Sequence, residues 1–260
     1  MEKEQQLVKV VKAFGNGAHI FVPKEWAGEQ IIVIKQPRKS IKEKIIEIIE
    51  PYLESISGVY LYGSYARAEQ REDSDIDLFI VSNKKIKIQS KGFEINCIEE
   101  KNIEKAIKLE PLLMYSIFSE AQVIINSKLL YELKEKYKPK VNDFKEYFAS
   151  CKRLIEVNQE FLSHETKEQY FLGQAVPYSI MLRLRGIFII HMLLKGEKYS
   201  YKKFKEWIIK KASKIDFDAI YEAYKNAKDE IKTKQKIKTN DLYVLLKLLD
   251  NDVKILEHGK

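Results

Sequence analysis

The stretch Gly58 to Val81, GVYLYGSYARAEQREDSDIDLFIV, constrains the fold more than any other part of the chain. Val59 to Tyr62 is a short β-branched and aromatic run that stops at Gly63-Ser64, and Tyr65 to Gln70 has helical character, which predicts a strand, a tight turn and a helix start. At such a turn a glycine lets the backbone approach a phosphate, while free N–H groups and the Ser64 hydroxyl point at it. Asp75-Ile76-Asp77 then leads into Leu78-Phe79-Ile80-Val81, a predicted buried strand. Side chains alternate along a strand, so Asp75 and Asp77 share a face and Ile76 points into the core. Two carboxylates at that spacing can grip Mg²⁺, whose preference for hard oxygen ligands is completed by substrate phosphates; without a cation they repel each other. For an isolated D-x-D, an exposed Ser74-Asp75 turn followed by an edge charge at Asp77 is the structural alternative.

The motif is not isolated. The arrangement G-S-x-A-R followed about ten residues later by S-D-I-D before an apolar strand resembles the nucleotidyltransferase superfamily of DNA polymerase β type, through Gly63, Ser64, Ala66, Arg67, Ser74, Asp75 and Asp77. The likeness is nearest to the minimal and antibiotic-modifying branch, whose pattern usually has Gly where this chain has Ala68. The resemblance implies an α+β fold: a nucleotidyltransferase-type mixed sheet with flanking helices. It also implies a third carboxylate on a later strand, and Gly92 to Ile98 offers Glu94, with Phe93, Ile95 and Cys97 on the opposite face. Glu94 is thus the expected third ligand and base for the incoming hydroxyl, with Glu99 and Glu100 next in line. Two Mg²⁺ ions on Asp75, Asp77 and Glu94 would bridge the triphosphate of an NTP, with ATP the expected nucleotide. Gly63 and Ser64 would hold phosphates, with Arg67 as a charge partner and Ser74 beside the site. The implied product is a nucleotidylated acceptor plus pyrophosphate, the acceptor being a small molecule, a protein or an RNA end.

The remainder is divided as 1–37, 38–138 and 139–260. Residues 7 to 36 read as β structure: LVKVVKAF, a Gly15-Asn16-Gly17 hairpin turn, AHIFVP, and a third strand QIIVIKQ. So short a piece cannot bury a core alone. FGNGAHIFVPKEW resembles the small swapped-hairpin DNA-binding domains of AbrB type, which implies a homodimer and DNA contact, with Lys9, Lys12 and Lys24 the only basic side chains placed for it; the alternative is a β extension of the catalytic domain. Ile41, Ile45, Ile48, Ile49, Tyr52, Leu53 and Ile56 follow helical spacing, with Pro51 dividing the helix. Further helices are predicted at 102–108, 111–119 and 127–137, with a strand at 122–125. Beyond Pro139 the pattern is a helical bundle, with helices near 141–163, 167–195 interrupted by Pro177, 200–212, 216–231 and 239–257.

The formal charge of +8 comes from forty Lys and six Arg, and the Lys, Glu and Ile bias is that of proteins from hot environments. Residues 139–260 hold 24 basic and 17 acidic groups, against 22 and 21 in residues 1–138, so the excess lies in the helical segment. Lys195 to Lys214 and Lys225 to Lys238 are either polyanion contacts or solvated helix faces. Cys97 and Cys151 stand apart with no metal-binding spacing, which argues against a disulfide framework or a zinc site. No run of about eighteen apolar residues is apparent and MEKEQQLVKV lacks a signal-peptide core, so a cytoplasmic protein without a membrane span is expected. Arg185 and His191 satisfy the loose Arg-to-His spacing of HEPN ribonucleases, although Gly186 departs from the polar residue usual there. The alternatives to a transferase are therefore a DNA-binding regulator or antitoxin of a toxin–antitoxin or mobile-element system, and an HEPN-type ribonuclease.

Overall fold

The computed structural model describes residues 7–34, 39–71, 74–164, 169–232 and 236–258. The chain divides into two compact units, Met1–Ser40 and Ile41–Lys260.

In the first unit, β1 (Lys12–Phe14) and β2 (Gly17–His19) form an antiparallel hairpin with Lys12 opposite His19. The predicted runs on either side of the turn are longer than these strands, and residues 31–34 of the predicted third strand are irregular, while Lys35 and Gln36 lie outside the described residues. The physical reason is the absence of a core. No described residue of 7–34 is buried, and Val8, Val10, Ile32 and Ile34 are each more than 80% exposed (84, 83, 88 and 81%).

The second unit opens with α1 (Ile41–Ile49), which Pro51 converts into a 3₁₀ turn over Glu50–Ser55. It continues through β3 (Ile56–Tyr62), the short helix α2 (Gly63–Ala66), β4 (Ile76–Ser82) and β5 (Phe93–Glu99). Then come α3 (Ile103–Leu109), α4 (Pro111–Glu120), β6 (Gln122–Ile125) and α5 (Ser127–Lys136). The four strands form a mixed sheet in the order β5-β4-β3-β6, in which only the β4–β5 pair is parallel.

Alternation sends each strand's side chains into two separate cores. Val59, Leu61, Ile76, Leu78 and Ile80 pack with Ile45 and Ile49 of α1 on one face. Tyr60, Tyr62, Phe79 and Val81 face the other way, into a larger core that runs through α3, α4 and α5.

That larger core continues without a break into the helical segment. Its elements are α6 (Lys145–His164), β7 (Tyr170–Phe171), α7 (Ala175–Leu194), α8 (Tyr201–Lys211), α9 (Phe217–Lys228), β8 (Ile237–Lys238) and α10 (Thr239–His258). Pro177 does not interrupt α7. It occupies the first turn, where its missing N–H has no intrahelical partner to lose. By length and composition α7 is apolar enough to cross a membrane, contrary to the expectation of no such run, but 61% of its most apolar stretch is buried inside the fold. A helix apolar on all sides is what the centre of a helical bundle requires.

Candidate active site

The centre of the sheet brings the expected carboxylates to one end. Asp77 stands at the start of β4 with Tyr62 of β3 opposite on one side and Glu94 of β5 opposite on the other. Asp77 lies on the face that also carries Phe79 and Val81, and Ile76 is buried in the opposite core, as alternation requires. Asp75, exposed and one residue before the strand, shares that parity with Asp77. Glu94 is exposed. Glu99, opposite Ser82, is at the far end of β5 and is paired with Lys101 at 2.7 Å.

Gly63 joins this end of the sheet to α2 with φ +72, and a Cβ there would fall 1.8 Å from Asp77 Oδ2. The glycine is therefore required twice, by the left-handed backbone and by the approach of the carboxylate. The turn closes at Ala68, whose φ of +56 is also left-handed. This explains why Gly is usual at the matching position of the resembling family, and the alanine costs roughly 1 kcal/mol of strain. Ser74 Oγ accepts the Arg71 N–H at 2.9 Å, which shapes the loop leading into Asp75.

The electrostatics of the cluster are those of converging anions. Burial and the neighbouring Glu94 push the Asp77 carboxyl up to about 6, while Lys228 and Arg67 oppose the rise. Asp77 and Glu94, side by side on neighbouring strands, are hard oxygen donors of the kind Mg²⁺ takes. Among the described residues, however, no three His, Cys, Asp or Glu groups stand close enough to form a ready-made cage.

Several residues not singled out from the sequence complete the site. Glu120, at the end of α4, accepts the Gly63 N–H at 2.9 Å and Arg67 Nη1 at 2.7 Å. Arg67 Nε donates to Glu69 at 2.9 Å, and the other oxygen of Glu69 accepts the Tyr201 N–H at 2.7 Å. The Arg67 guanidinium lies 5.3 Å from the Tyr199 ring centroid and that of Arg185 lies 5.1 Å from it. Asp229, next to Lys228, is paired with Arg71 at 3.0 Å. Apart from the Arg67–Glu69 pair, two residues apart, nothing in local sequence signals these contacts, because the others join residues far apart in the chain.

Arg185 and His191 have different partners. Arg185 Nε donates to the Tyr199 hydroxyl at 3.3 Å, whereas His191 Nε2 is 3.1 Å from Asp252 Oδ1. Gly186 is explained by packing, since a Cβ would lie 1.7 Å from the Tyr147 hydroxyl oxygen.

The mixed sheet, the glycine turn and the carboxylates beside it define a nucleotidyltransferase fold. Residues 43–136 match the family model described as "Polymerase beta, Nucleotidyltransferase". Among solved structures, the chain is similar to a nucleotidyltransferase-like protein from Exiguobacterium sibiricum 255-15, at 13% identity and a TM-score of 0.36, over 83% of this chain and 75% of that one. It is also similar to spectinomycin adenyltransferase AAD(9) from Enterococcus faecialis, solved with ATP and spectinomycin, at 14% identity and a TM-score of 0.40, over 81% of this chain and 97% of that one. No curated protein sequence matches the chain.

Proposed function

We propose that the protein transfers a nucleoside monophosphate from an NTP, with ATP as the nucleotide, to a hydroxyl group of an acceptor. The observation that carries this reading is the register Tyr62–Asp77–Glu94, which puts a strand-borne carboxylate pair against the Gly63 turn. Asp75, Asp77 and Glu94 would hold Mg²⁺. When bound, the metal supplies charge neutralisation for the triphosphate and for the leaving pyrophosphate.

The chain's own residues supply the rest. Ser64 offers its hydroxyl at the turn where the triphosphate is received. Glu94, exposed at the edge of the carboxylate cluster, takes the proton of the acceptor hydroxyl as its oxygen attacks the α-phosphorus. The bond from the α-phosphorus to the bridging oxygen breaks and pyrophosphate leaves. In this reading residues 38–138 form the catalytic segment, and residues 139–260 supply the wall from which Tyr199, Arg185 and Lys228 approach. The acceptor is a small molecule, a protein or an RNA.

The test is transfer of label from each α-³²P nucleoside triphosphate with Mg²⁺ into small-molecule, RNA and protein fractions of a cell extract. Label that appears with wild type and is lost by at least a hundredfold in Asp75→Ala and Asp77→Ala supports the site, by the magnitude usual for loss of an electrostatic catalytic group. Full activity in both variants sinks it.

A second role attaches to residues 1–40, favoured by the exposed apolar side chains of 7–34. We propose that this unit pairs with its copy in a homodimer and that Lys9, Lys12 and Lys24 of the pair contact DNA. Gel-shift binding that survives Asp75→Ala is the expected result.

A further inference from the structure

Glu120 is 8% exposed and ends α4. A carboxylate there is unfavourable on two counts, burial and the negative end of a helix dipole. Its partners explain its retention. One oxygen holds the Gly63 N–H and the other holds Arg67, whose side chain is only 14% exposed. Burial would lower the proton affinity of the Arg67 guanidinium, but Glu120 outweighs that effect and keeps it charged.

Arg67 is flanked by a second carboxylate, Glu69, which also ties down the Tyr201 N–H at the start of α8. The contacts Gly63–Glu120–Arg67–Glu69–Tyr201 therefore form one continuous bracket from the glycine turn to the helical segment. Within it a single cation faces two anions, and two of its N–H groups are committed to charge-assisted bonds. The remaining N–H groups of Arg67 belong to a side chain only 14% exposed, so a phosphate could recruit them only by entering a largely buried setting. The N–H of Gly63 is likewise filled by protein and not left open for a ligand.

We infer that Glu120 is a positioning residue that fixes the Gly63–Ser64 turn, and that Arg67 acts on the nucleotide through this bracket and not as a phosphate ligand. The second half rests on the nucleotide reading of the site; the first does not.

The two parts are separated by arginine footprinting with phenylglyoxal, read by mass spectrometry, on wild type and Glu120→Gln with and without Mg·ATP. In the wild type Arg67 is expected to resist modification compared with exposed Arg153, whether or not nucleotide is present. In Glu120→Gln it is expected to become reactive, at a rate unchanged by saturating Mg·ATP. Steady-state kinetics of the same variant should show KM for ATP raised about tenfold with kcat little changed, the loss expected when one charged hydrogen bond is removed. A wild-type Arg67 as reactive as Arg153 overturns the bracket whatever the nucleotide does. Protection of Arg67 by Mg·ATP in Glu120→Gln overturns the indirect role. A wild type that binds no ATP but shows a resistant Arg67 overturns the nucleotide reading and with it that indirect role, and supports Glu120 as the anchor of the turn.

Discussion

At the scale of single residues the site stores destabilisation in Asp77. Its carboxyl is pushed up to about 6 from an ordinary value of 3.8, by burial first and by Glu94 second. The unfolded chain releases the proton near pH 4, whereas the folded chain holds it until about pH 6, so stability falls as pH rises through that window. Asp77→Asn removes the charge at almost unchanged shape. In EDTA the variant should match wild type below about pH 4, gain between pH 4 and 6, and keep the full gain above. A shift of this size, discounted because the group is partly exposed, corresponds to about 1–2 kcal/mol. Urea denaturation at pH 4, 6 and 8 measures it. A constant difference at all three values would show that Asp77 is not the strained group. The pairing of a stability gain with loss of transfer is the signature of a functional carboxylate.

Single elements differ in how much of them was legible in the chain. β4 was plain, because an apolar run after two spaced acids leaves only one register in which Ile76 is buried. The same alternation made legible that Glu94 faces away from Phe93, Ile95 and Cys97, while its part in the site came only from the resemblance. The bracket was not, because Glu120 precedes Gln122 at the end of an apolar helix and acquires meaning only when α4 is packed beside the turn. Helix α7 illustrates another limit: apolar on every side, it carries no amphipathic signal, so its first turn at Pro177 read as a break. What pins it is also long-range. Asp252 of α10, 1% exposed, accepts from Lys211 of α8 at 2.6 Å and lies 3.1 Å from His191 of α7. Burial would raise the Asp252 carboxyl, but His191 and Lys211 outweigh it and hold it below the ordinary value. This contribution is therefore present above about pH 4 and is lost as the pH falls further. Asp252→Asn should cost about 2 kcal/mol at pH 7, less than a fully buried pair because Lys211 reaches solvent. The cost should shrink below pH 4. Chemical denaturation of the two proteins at pH 7 and pH 3 checks both the size and the direction.

At the scale of the whole molecule the two units obey different rules. Every buried core residue among those described belongs to 41–260, so this unit carries its own hydrophobic driving force. The unit 1–40 does not: Leu7, Val8, Val10, Val11, Phe14, Phe21, Val22, Ile31, Ile32, Val33 and Ile34 are all exposed. At roughly 100 Å² each, these eleven side chains amount to about 1,000 Å², comparable with what one partner buries in a stable protein interface. So much exposed apolar area in one short unit is what an interaction surface presents. A basic ligand-binding face would not need it, since contact with a phosphate backbone is electrostatic. In the proposed homodimer, self-pairing would cover the apolar side chains and leave Lys9, Lys12 and Lys24 for DNA. Removal of residues 1–40 should therefore lower the mass measured by light scattering from two chains to one. The melting temperature of the remaining unit should change by no more than a few degrees, as expected when no core contact is lost. Transfer activity should survive, because Gly63, Ser64, Asp75, Asp77 and Glu94 all lie in 41–260. A full-length protein that is already a monomer at micromolar concentration would sink the homodimer. A truncated one that keeps two chains would move the interface to the transferase unit.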